Sequence, residues 1–96
     1  MRPSEVLEQN RKLVRDMVAR SPARNPRVFG SVLHGTDTED SDIDILVDAP
    51  AGTTMLHLIG LERELRDRLG VRVQVLTPGD LGRRFRDRVL AEAQPI

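Results

Sequence analysis

Val28-Phe29-Gly30-Ser31, ten further residues and then Asp42-Ile43-Asp44-Ile45-Leu46-Val47, preceded by Ser41, are the two stretches that decide the fold of this 96-residue chain. The first is short, apolar and β-branched at its centre, so it predicts a strand over residues 27–30 running into a tight turn at Gly30-Ser31, with one helical turn over Val32–His34. The second alternates acid with aliphatic and then turns fully apolar, which predicts a second strand over residues 42–47. Between them, Gly35–Ser41 is polar and turn-rich.

Working outward, Val6, Leu7, Leu13, Val14, Met17 and Val18 recur at helical spacing. They predict one amphipathic helix from Ser4 to about Arg20, capped by Ser4 and ended by Ser21-Pro22, because proline cannot continue the backbone ladder. Downstream, Pro50–Thr54 reads as a loop. Leu58, Leu61, Leu65 and Leu69 mark one helix face, with Met55 and Leu56 taken into the same core and Gly70 as the stop. Val71, Val73 and Val75 alternate with Arg72 and Gln74 as a third strand, which places Arg72, Gln74 and Leu76 on the opposite face from the valines. Leu81, Phe85, Val89 and Ala93 predict a last amphipathic helix with Arg83, Arg84, Arg86 and Arg88 on its outer side. The order α, β, short α, β, α, β, α implies an α+β fold, a small sheet with helices packed on it, and a chain of this length is room for a single domain over residues 1–96.

Composition narrows the function. Thirty-nine percent hydrophobic against 31% charged residues is the balance of a folded chain. The absence of cysteine excludes disulfides, thiolate zinc sites and cysteine nucleophiles. The start MRPSEVLEQN has no apolar leader core, and no run approaches the roughly 18 apolar residues of a membrane span, so neither secretion nor membrane insertion is expected and the cytoplasm is the default. Net charge is zero but unevenly spread. From Val28 to Leu61 there are six acids (Asp37, Glu39, Asp40, Asp42, Asp44 and Asp48) and no lysine or arginine, between arginine-rich flanks. A central acidic segment suits a bound cation, and with only two aromatic residues, both Phe, direct nucleic-acid binding is not expected.

Asp42-x-Asp44 carries the chemistry. Residues two apart on a strand point the same way, about 7 Å apart, and two carboxylates on one face call for a hard cation such as Mg²⁺. The plainer alternative is two solvated acids at a sheet edge. Gly30-Ser31 lies where a strand turns toward a helix, and there free N–H groups and a small hydroxyl can hold a phosphate. Together they are the equipment of nucleotidyl transfer. A calcium loop counted from Asp37 fails, because its sixth and twelfth positions are Asp42 and Asp48 instead of Gly and Glu. His34, His57 and the arginines of the last helix read as solvated surface, and Asp48, about 13 Å beyond Asp44 along a strand, is no third ligand.

With Gly35 between the two stretches, with Val75-Leu76-Thr77-Pro78 as a strand end and with an arginine-rich closing helix running into Ala93-Gln94-Pro95-Ile96, the chain resembles the minimal nucleotidyltransferases of the DNA polymerase β superfamily over nearly its whole length. The resemblance implies a polymerase β palm-like fold. It implies Asp42 and Asp44 as catalytic and metal-binding residues, Gly30 and Ser31 as nucleotide-binding residues, Mg²⁺ as cofactor with two divalent ions able to take part, and ATP as substrate. It further implies the role of antitoxin to a HEPN-type ribonuclease toxin, in some members by transferring AMP to the toxin. One position departs from the pattern. The family's third carboxylate, on the later strand, is replaced here by Gln74, whose carbonyl can face a metal but cannot take a proton as a carboxylate does. Two readings follow: an Mg²⁺-dependent transferase that moves a nucleotide to a hydroxyl on the partner, or a non-catalytic antitoxin that blocks the toxin by binding. A small-molecule transferase ranks behind both, since 96 residues leave no second domain for such a substrate.

Overall fold

Strands β1 (Arg24–Phe29), β2 (Ile43–Asp48), β3 (Val73–Leu76) and β4 (Gln94–Pro95) form one mixed sheet in the order β3-β2-β1-β4 in the computed structural model, which describes residues 1–96. β1 pairs antiparallel with both β2 and β4, whereas β2 and β3 run parallel. Parallel neighbours need a crossover, and helix α4 (Met55–Leu69) supplies it. Two registers position everything that follows: Phe29 opposite Asp44 on β1 and β2, and Asp44 beside Gln74 on β2 and β3.

Strand alternation divides the sheet into two unlike faces. Ile43, Ile45 and Val47, with Val28, Val73 and Val75, point into the main core. There they meet Val6 and Leu7 of helix α1 (Pro3–Gln9), Val14, Met17 and Val18 of helix α2 (Arg11–Arg20), and Leu61, Leu65 and Leu69 of α4. Asp44 and Gln74 are left on the opposite face. The short helix α3 (Gly30–His34) leads off the end of β1 and drops Val32 into the core.

Four expectations need correction. The first helix is two, broken at Asn10 (φ −126°), whose side-chain amide donates to the Val6 carbonyl and so competes with the backbone ladder. Ser4 is not the cap: it stands inside the first turn, and its N–H is received by Asp37 from across the chain at 2.9 Å. Met55 and Leu56 are not core, being 70% and 79% exposed. They belong to the first turn of α4, where Thr54 and His57 exchange capping hydrogen bonds and the apolar ladder has not begun. The closing helix α5 (Arg83–Glu92) has no buried residue, and Phe85 is 58% exposed. Leu81, buried before the helix starts, and Ile96, buried after it, do the packing assigned to its face. A 3₁₀ turn (Pro78–Asp80) and β4 lie beyond what the sequence pattern signalled.

Asp37 ties the β1–β2 connection to the start of α1. Its side chain is 0% exposed, it accepts from the Arg2 guanidinium at 2.8 Å and from the Ser4 N–H, and it thereby caps α1 from the β1–β2 connection. The Arg2 hydrogen bond, helped by Ser4 and opposed by burial, brings its carboxyl down to about 2. A depressed carboxyl stabilises the fold above the ordinary carboxylate range and loses that contribution as pH falls through the folded value. Asp37→Asn should therefore cost about 1–3 kcal/mol at pH 7. In urea unfolding, the gap to wild type should hold down to about pH 4 and narrow towards about pH 2; a gap independent of pH would show that the charge of Asp37 is not what ties α1 down.

Candidate active site

Gly30 has to be glycine for two separate reasons. Its φ is +76°, in the left-handed region, and a Cβ built on it would lie 2.3 Å from Asp44 Oδ2. β1 thus ends with its backbone against the carboxylate that β2 presents, and α3 starts at that residue. The first N–H groups of a helix have no partner inside it, so those of Gly30 and Ser31 are open to an acceptor beside the acid. The two sequence stretches read as one constellation are one place in the fold.

Asp42 immediately precedes β2 and is 41% exposed at its side chain; Asp44 is half-buried and stands in register with Gln74. The two acids are unlike in environment. Asp42 Oδ1 is 2.8 Å from the Arg72 Nε. Asp44 has no such cation, and burial, with the charge of Asp42 second, pushes its carboxyl up to about 6. Gln74 is exposed and, as strand alternation requires, shares the sheet face of Asp44. Asp48 is remote and paired with Arg27, His34 meets Glu92 at 3.1 Å, and the Asp40 carbonyl receives the Arg72 guanidinium. Arg72 and Asp37 are the contributors that the sequence did not single out. Arg72 was legible only as a same-face neighbour of Gln74, and Asp37 only as one more acid.

This donor set suits a divalent ion that arrives with a nucleotide. Mg²⁺ is held by one or two carboxylates plus substrate phosphates and keeps several waters. Nowhere in the chain do three acids, histidines or cysteines converge on one point. A desolvated carboxylate beside a like charge gains from such an ion, and Asp42 and Asp44 would hold it. The pair sits on an open sheet face: none of the three grooves on the molecule includes Asp42, Asp44 or Gly30, and the largest, about 470 Å³ between α2 and α4, lies elsewhere.

Comparison with known proteins identifies the family and the fold. The nucleotidyltransferase domain model matches residues 10–96. The protein adenylyltransferase MntA of Thermococcus cleftensis is 37% identical over 87 residues, 91% of this chain and 85% of that protein. A solved structure described as a "putative minimal nucleotidyltransferase" superimposes with a TM-score of 0.86 at 42% identity, covering 97% of this chain and 95% of the other. A toxin-antitoxin complex with AMP-PNP shares the fold at 22% identity and a TM-score of 0.69, over 97% of this chain and 71% of the other.

Asp44 should cost the protein stability. A carboxyl raised in the folded state favours the protonated form, so the penalty is absent below about pH 4, grows between there and about pH 6, and is complete above. Asp44→Asn is expected to unfold at higher urea than wild type at pH 7.5, by about 1 kcal/mol once solvent screening of a half-buried group is allowed for. The two curves should converge below about pH 4. A variant less stable than wild type at pH 7.5 would mean that Asp44 is held by contacts and is not under electrostatic strain.

Proposed function

The chain belongs to the nucleotidyltransferase domain family, and on that premise we propose that it moves AMP from ATP to a hydroxyl on a HEPN-type toxin for which it is the antitoxin. The observation that carries this reading is the close approach of the Gly30 backbone to Asp44, which supports a phosphate held at Gly30-Ser31 beside a carboxylate able to hold a metal. Asp42 and Asp44 hold Mg²⁺, and the N–H groups of Gly30 and Ser31 with the Ser31 hydroxyl receive the triphosphate. Bound there, the ion supplies positive charge against the phosphate oxygens.

The toxin's hydroxyl oxygen bonds to the α-phosphorus, the bond to the leaving pyrophosphate breaks, and the hydroxyl proton departs. The open face supports a protein acceptor, because nothing on this chain encloses a small one. Gln74 limits the rate: at the position beside Asp44 an amide cannot accept the proton, so it passes to solvent, and a positioned base is worth about 10² to 10⁴.

Gln74 is also the observation behind the second reading, an antitoxin that acts by binding alone. Radiolabelled ATP, Mg²⁺ and the HEPN-type toxin proposed as partner, incubated with wild type, Asp44→Asn and Gln74→Asp, separate the two. Slow label transfer by wild type, loss in Asp44→Asn and a gain of about tenfold or more in Gln74→Asp are expected. Activity that needs Asp44 but ignores Gln74→Asp would assign the proton to another acceptor. No transfer by any of the three, with the toxin still neutralised, would establish the binding module.

A further inference from the structure

Arg72 stands at the entrance to β3, and its position follows from the sheet: the Ile43 N–H donates to the Arg72 carbonyl at 2.9 Å, tying the two strands together where Asp42 leads into β2. From there the guanidinium reaches Asp42 Oδ1 at 2.8 Å and donates a second hydrogen bond to the Asp40 carbonyl. It is two-thirds exposed, at 66%, and contributes little to the core. Its charge is spent on one acid only, since its Nε lies against Asp42, and no Lys, Arg or His nitrogen forms an ion pair with Asp44. The acid pair therefore consists of one carboxylate that already has a cation and one that lacks it.

We propose that Arg72 is the resident counter-cation of Asp42, so that an entering divalent ion must take Asp42 from it, and Arg72 lowers the metal affinity of the empty site while holding the acidic connection against β3. The inference rests on Asp42 and Asp44 being the metal site. Guanidinium stays charged at any working pH, so the competition cannot be relieved by proton loss. An exposed ion pair is weak, which puts the effect at about two- to fivefold in metal affinity. A purely structural role for Arg72 predicts the opposite sign, because releasing the connection would disorder Asp42 and weaken metal binding.

Mn²⁺ binding to the full chain without nucleotide, followed by the loss of the free-ion paramagnetic resonance signal, distinguishes these outcomes. Arg72→Gln keeps a donor for the Asp40 carbonyl and removes the charge; it should tighten Mn²⁺ about two- to fivefold, with Arg72→Lys near wild type and the difference shrinking as NaCl is raised. Arg72→Met, which removes charge and donor together, should tighten it less than Arg72→Gln, the lost hold on the Asp40 carbonyl offsetting part of the gain, and serves if Arg72→Gln fails to fold by circular dichroism. Unchanged or weaker binding in the neutral variants, with Asp42→Asn still abolishing it, would overturn the role of Arg72 and leave the metal site standing. Binding indifferent to Asp42→Asn would remove both, as would no binding in any form either alone or with a non-hydrolysable ATP analogue added.

Discussion

The close approach of Gly30 to Asp44 is the constraint on which the rest of the site depends. Antiparallel pairing sets Phe29 opposite Asp44, so the residue after Phe29 must turn away over the carboxylate, and only a residue without a Cβ can do so. The same turn starts α3, sends Val32 into the core and leaves unpaired N–H groups at the acid's side. A side chain at position 30 would disturb strand pairing, helix start and carboxylate together. The backbone joins these effects, and for that reason the motif is read as a unit.

Around this point, electrostatics is arranged asymmetrically. The connection between β1 and β2 is pinned at one end by buried Asp37 on Arg2 and Ser4, and at the other by Arg72 on Asp42 and the Asp40 carbonyl. Beside those two satisfied acids, Asp44 on β2 is left desolvated and without a cation. Strain of that kind is characteristic of sites that await a charged ligand, and it is sustained by the well-packed opposite face of the same sheet. The 97% overlap with a minimal nucleotidyltransferase structure places the same scaffold under the site without deciding what occupies it.

Much of this was legible in the sequence. Ile43, Ile45 and Val47 announce β2 by alternation and Leu61, Leu65 and Leu69 announce α4, signals that are local and periodic, and Gly30-Ser31 and Asp42-x-Asp44, read as one constellation, are brought together by the β1–β2 register. The failures share a different cause. Asn10 splits a helix through a side-chain hydrogen bond that periodicity does not register, and Asp37 caps a helix from 33 residues away in the chain. Phe85 and Val89 follow a helical spacing, yet neither is buried and Phe85 is 58% exposed, so an amphipathic pattern became an exposed face. The Arg72–Asp42 pair needed the β2–β3 register, a long-range fact.

The central claim is that one place, the junction of Gly30 with Asp44, holds both metal and triphosphate. A crystal of the chain grown with Mn²⁺ and a non-hydrolysable ATP analogue, with anomalous scattering recorded at the manganese edge, tests it most directly. The account predicts an anomalous peak bridging Asp42 and Asp44, with the triphosphate against the N–H groups of Gly30 and Ser31 and Gln74 beside the ion. Manganese away from both carboxylates, or the nucleotide lodged in the groove between α2 and α4, would contradict it.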